Sequence, residues 1–90
     1  MLTPRISAQF KRDVRKAEKR GKDMAKLRAL LLLLMEEKTL PVHCRDHPLK
    51  GEWSGFRDAH IEPDWLLIYR VAGGELDLAR TGSHSDIFEE

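Results

Sequence analysis

Ninety residues, with 16 Lys/Arg, 15 Asp/Glu and a formal net charge of +1, suit one small domain with one modest core, spanning 1–90. No apolar run reaches the length of a membrane span, and Met1-Leu2-Thr3-Pro4-Arg5 lacks the apolar segment of a secretion signal. A lone cysteine, Cys44, excludes an internal disulfide, so the simplest expectation is a cytoplasmic protein in a reducing compartment, with no membrane partner.

The charge is unevenly spread. Residues 1–30 hold ten Lys/Arg against three Asp/Glu, and the remaining residues reverse the balance with six against twelve. One basic surface that could meet a polyanion is expected, although a solvated helix is often rich in Lys and Arg anyway.

In chain order, Leu2 to Ile6 suits a short strand, and Ser7 offers a hydroxyl to cap a helix. Phe10, Val14 and Ala17 recur at helical spacing, and Gly21 ends that helix. Asp23 caps the next, whose stripe is Met24, Leu27, Leu31 and Leu34, widened by neighbouring leucines. The pair is expected to form a helical hairpin. Thr39 to Gly55 reads as a long connection broken by Pro41, Pro48 and Gly51, and it carries His43, Cys44 and His47. Three strands follow: Gly55 to Ile61, Trp65 to Val71 and Glu75 to Thr81. Glu62-Pro63-Asp64-Trp65 and Gly73-Gly74 are the turns between them. The expected class is α+β: an N-terminal strand, a helical hairpin, then a three-stranded antiparallel meander forming a small curved sheet.

Counting back from the two tight turns puts His60, Leu67 and Arg80 on one rung. On that count Ala59, Ile61, Leu66, Ile68 and Ala79 lie under the helices. The face with His60, Tyr69 and Arg80 stays partly open, and Asp64, Trp65 and His84 gather at its edge. Imidazoles, a guanidinium and a carboxylate around one patch suit phosphoryl chemistry. Histidine moves protons near neutral pH, and arginine stabilises phosphate charge. Trp65 and Phe88 could stack on bases. RNA whose own 2′-hydroxyl attacks needs no metal. Zinc is the rival, since His43, Cys44, His47, His60, Asp64 and His84 are all possible ligands, but the paired spacing of a structural zinc site is missing. No metal and no other cofactor is therefore expected. Taken singly, each of these side chains is more often structural or merely exposed, so their convergence carries the argument.

At these residues a resemblance emerges. Asp46-His47-Pro48-Leu49-Lys50-Gly51, Trp53, the run Phe56 to Tyr69, Arg80-Thr81-Gly82-Ser83-His84-Ser85 and Phe88 resemble the YafQ branch of the RelE/ParE toxin superfamily. The resemblance spans almost the whole chain. It implies a RelE-like fold and a bacterial toxin that cleaves messenger RNA in the ribosomal A site. It implies His84 as general acid, Arg80 on the phosphate charge, His60 and Asp64 at the 2′-hydroxyl with support from His47, and Trp65 and Phe88 shaping the nucleotide pocket. Lys11, Arg12, Arg15, Lys16, Lys19 and Arg20 would meet ribosomal RNA. The implied partners are the ribosome with its mRNA and a cognate antitoxin carrying a ribbon-helix-helix domain, with operator DNA reached only through the antitoxin. The alternative is a non-enzymatic gyrase poison like the ParE branch, which needs no histidine cluster. His43 and Cys44 match no family motif and receive no role.

Overall fold

The structure, a computed structural model, describes residues 1–89; Glu90, the last residue of the expected tail, lies outside them. Strand β1 (Thr3–Ile6) leads into helix α1 (Ala8–Lys19) and helix α2 (Met24–Met35). Ser7 caps α1 as expected, its Oγ accepting from the Phe10 N–H at 2.9 Å. Asp23 caps α2 by accepting from the Ala25 N–H. Between them Gly21 takes a left-handed φ of 78°, which costs glycine little. Then come β2 (His47–Pro48), β3 (Arg57–Glu62), β4 (Trp65–Ala72), β5 (Glu75–Gly82) and α3 (His84–Phe88). Gly73 and Gly74 both have positive φ, as the hairpin turn that matches strand twist requires.

The strands form one open sheet in the order β1-β5-β4-β3-β2. β1 runs parallel to β5, and the other pairs are antiparallel. The α+β class and the element order are those expected. Two elements are additions. His47 and Pro48 pair with Asp58 and Arg57, so the long connection supplies a fifth strand. The tail closes into α3 through a capping box between Ser83 and Asp86. No helix among the described residues is long and apolar enough to cross a membrane.

Both hairpin registers depart from the simple count. Ile61 is an extra residue in β3, so His60 pairs with Leu66. Ala79 is an extra residue in β5, so Arg80 pairs with Ile68. The expected rung of His60, Leu67 and Arg80 does not form, because each bulge shifts the pairing beyond it by one residue. The faces change accordingly. Leu67, Tyr69, Leu76 and Leu78, expected on the open face, pack with Phe10, Leu27 and Leu30 of the helices. Ala59 joins them, and Ile61 packs against them. Leu66 and Ile68 instead form a second cluster with Ile87, flanked by Leu49, Trp53 and Phe56 from the connection and its end. Both faces of β4 are thus covered, and Trp65, Leu66, Leu67, Ile68 and Tyr69 are buried in unbroken succession. Asp46 fastens the connection to the sheet. It accepts from the Tyr69 hydroxyl at 2.5 Å and from Arg57 Nε at 3.1 Å.

Candidate active site

Three imidazoles lie in a row. The His47 and His60 ring centroids are 6.5 Å apart, and those of His60 and His84 are 5.7 Å apart. Phe88 extends the row, 6.4 Å from His84. Each histidine arrives from a different element: His47 from β2, His60 from β3 beside the Ile61 bulge, and His84 from the first position of α3. The same nitrogen is engaged in each. His47 Nδ1 lies 2.8 Å from the Arg45 carbonyl oxygen, and His60 Nδ1 lies 3.3 Å from that of Cys44. His84 Nδ1 lies 2.6 Å from Asp64 Oδ1. Carbonyl and carboxylate oxygens only accept, so each Nδ1 carries the proton and donates it. Nε2 is then the nitrogen left for chemistry on all three rings.

Asp64 also accepts from the His84 backbone N–H at 2.9 Å. That bond, followed by the bond from the imidazole, holds the Asp64 carboxyl below the usual carboxylate range. Asp64 therefore fixes His84. The expected pairing of Asp64 with His60 at the 2′-hydroxyl is not the one found: His60 leans on Cys44 and Asp58 instead.

Asp58 is the residue that the sequence reading passed over as a site member. It is 3% exposed, and its buried Oδ1 has no hydrogen-bond partner. The nearest cations, when protonated, are His60 Nδ1 at 3.5 Å and His47 Nδ1 at 3.8 Å. Burial pushes the Asp58 carboxyl up, against the pull of the three histidines. The signal that could have found it is an aspartate inside an otherwise apolar strand. A carboxyl raised in this way favours folding fully below its unfolded pKa, and that contribution is lost as pH climbs through the folded value. Asp58→Asn should therefore gain stability relative to the parent between about pH 4 and pH 7. Urea titrations at the two pH values check this, and an equal offset at both contradicts it.

Arg80 is largely engaged within the chain. Its Nε donates to Asp13 Oδ2 at 2.8 Å and its Nη2 to Asp13 Oδ1 at 3.3 Å, leaving Nη1 uncommitted among the described residues. Asp13, buried on α1, also accepts from the Thr81 N–H and from Gln9 Nε2. Trp65 is corrected outright. It is 1% exposed in the core beneath the helices, with Nε1–H donated to Thr81 Oγ1, so it presents no free face to a base. Phe88 remains half-buried beside His84. Of the expected ribosome-facing cations, Lys16 and Arg20 are bound within the chain, to Asp86 at 3.2 and 2.6 Å. Those bonds, Arg20 first, hold the Asp86 carboxyl far below the usual range and clasp α3 to α1. Lys11, Arg12, Arg15 and Lys19 remain exposed on α1. His43 is exposed, and Cys44 is buried beside His60, its thiol pushed up by burial. Among the described residues no group of three or more His, Cys, Asp or Glu is arranged to hold a metal ion.

A row of imidazoles anchored through Nδ1, on a small α+β scaffold with a basic first helix, defines a class of proteins suited to acid–base chemistry on a polyanion. The chain belongs to the YafQ family, described as the bacterial toxin of a type II toxin–antitoxin system, which matches residues 2–89. It is 49% identical over 83 residues to the mRNA interferase toxin YafQ of Escherichia coli strain K12, covering 91% of this chain and 90% of that protein. The crystal structure of YafQ from E. coli strain BL21(DE3) superimposes with a TM-score of 0.93 at 45% identity, covering 98% of this chain and 99% of the other. YafQ in the E. coli DinJ–YafQ toxin–antitoxin complex gives 0.89 at 46% identity, covering 97% of each chain.

Proposed function

We propose that this chain is a ribosome-dependent endoribonuclease, the toxin of a type II toxin–antitoxin pair, with residues 1–90 as one toxin domain. The observation that carries the reading is the histidine row with every Nδ1 committed and every Nε2 left for proton transfer. The E. coli relatives named as mRNA interferase toxins support it. In this reading the RNA 2′-hydroxyl attacks the adjacent phosphorus while the bond from phosphorus to the 5′-oxygen breaks. His60, whose Nδ1–H rests on a neutral carbonyl, keeps the Nε2 lone pair and takes the 2′-hydroxyl proton. His84 gives a proton to the departing 5′-oxygen, and the Asp64 carboxylate offsets the charge of its imidazolium. His47 stands beside His60 as its support. The uncommitted Nη1 of Arg80 is the group available to the phosphate charge. The products are a 2′,3′-cyclic phosphate and a 5′-hydroxyl.

Lys11, Arg12, Arg15 and Lys19 supply the counter-charges for ribosomal RNA. The partner implied by the DinJ–YafQ complex is an antitoxin, which would bring the operator DNA contact. A gyrase-poison reading leaves the histidine row without a task.

The reading is tested by presenting one mRNA either free or in ribosomes with a codon in the A site. Cleavage is expected only on the ribosome, and it should weaken steeply as salt rises. Altered gyrase supercoiling with intact transcripts would overturn the reading.

A further inference from the structure

A groove of about 850 Å³ opens beside the histidine row and is used by no step above. Its apolar wall is built by Ala29, Leu30 and Leu33 of α2, with Pro41, Ile61 and Pro63 opposite. His60 and His84 are among its lining residues, so it is continuous with the candidate active site. His43 and Arg45 stand on its outer side, both exposed. The turn of Val42–Cys44 brings them there, and Arg45 ends that turn at a left-handed φ of 47°. The lining also holds one carboxylate, Glu62, which is paired with Lys22 and Lys26, so a slot with apolar walls, two imidazoles and the cations His43 (when protonated) and Arg45 matches one nucleotide: a base between apolar surfaces and a phosphate on the cations. The volume lies within the range of small-ligand clefts.

We propose that this groove binds the nucleotide flanking the scissile phosphate, and that His43 and Arg45 hold that nucleotide's backbone. The proposal rests on the reading of the site as an RNA-cleaving one and adds to it a base-binding subsite. It gives His43 a role that no motif assigned. It also makes the loop ending at Arg45 a determinant of which codon is cut.

The test uses the full chain and a 2′-O-methyl RNA tetranucleotide, which lacks the attacking hydroxyl. Methyl signals of Leu30, Leu33 and Ile61 and the imidazole signals of His60 and His84 are followed by NMR. All should shift with the RNA, whereas inorganic phosphate should move only the imidazoles. Ala29→Trp fills the groove from an exposed helix position and should abolish the methyl shifts. Arg45→Asn keeps a residue tolerant of the left-handed φ and should weaken RNA binding about tenfold. Unmoved methyls at RNA concentrations that shift the imidazoles overturn the groove alone. If neither set moves, the groove proposal falls as well, and cleavage on programmed ribosomes decides the RNA-cleaving reading separately.

Discussion

His84→Ala should lower the rate of mRNA cleavage by about 10²–10⁴-fold while the protein stays folded. The expected loss is that of a general acid, since the imidazole held by Asp64 is the group assigned to protonate the 5′-oxygen. The fold should survive because His84 is only partly buried and its partner Asp64 is well exposed, so the bond between them adds little stability. Alanine at the first position of α3 is also a good helix former, and the Ser83–Asp86 capping box is untouched. Asp64→Asn should cost less than His84→Ala, because an amide oxygen can still accept from Nδ1 but brings no charge to offset the imidazolium. Cleavage on programmed ribosomes, with circular dichroism for the fold, measures both. A folded His84→Ala protein that cleaves at the parental rate would contradict the assignment.

The second large effect is on stability. Asp13→Ala should destabilise the fold by about 3–5 kcal/mol, because it leaves the Arg80 guanidinium without its counter-ion in a part-buried position. It also strips the Thr81 N–H of its acceptor in the core. Adding Arg80→Met to Asp13→Ala removes both charges, so the double variant should be better tolerated in the fold than Asp13→Ala alone, yet it should still slow cleavage. The comparison separates the two roles of Arg80. Urea denaturation of the three proteins tests the first, and single-turnover cleavage tests the second. An Asp13→Ala protein as stable as the parent would show that the pair is not holding α1 to the end of β5.

Local chemistry made much of the fold legible. Ser7 and Asp23 cap helices because a short oxygen-bearing side chain at that position meets the free N–H groups, and that needs no knowledge of the rest of the chain. Gly73-Gly74 likewise declares its turn. What stayed hidden depends on distant partners. The Ile61 and Ala79 bulges leave no mark in a two-residue alternation, yet they decide which residue faces His60 and which faces Arg80. Asp13 lay in plain view within a helix read as a basic surface. The buried positions of α1 are Phe10, Asp13 and Ala17, so a charge sits on the apolar stripe, and that is the clue that the expected stripe through Val14 passed by. Trp65 was assigned to the site because it follows the turn, but it opens the buried run Trp65 to Tyr69 and, at 1% exposed, has no free face for a base. His60 and His84 were expected in one patch, and their ring centroids lie 5.7 Å apart. Their partners were not legible, because Cys44 reaches His60 and Asp64 reaches His84 only through the folded chain.

The central claim is proton transfer by the histidine row to and from an attacking 2′-hydroxyl, and the ends of the cut RNA test it most directly. Transcripts cleaved on programmed ribosomes should carry a 2′,3′-cyclic phosphate or its opened monophosphate on the upstream fragment and a 5′-hydroxyl on the downstream one. A 3′-hydroxyl paired with a 5′-phosphate would mean that water, not the ribose, attacks the phosphorus, and it would contradict the account.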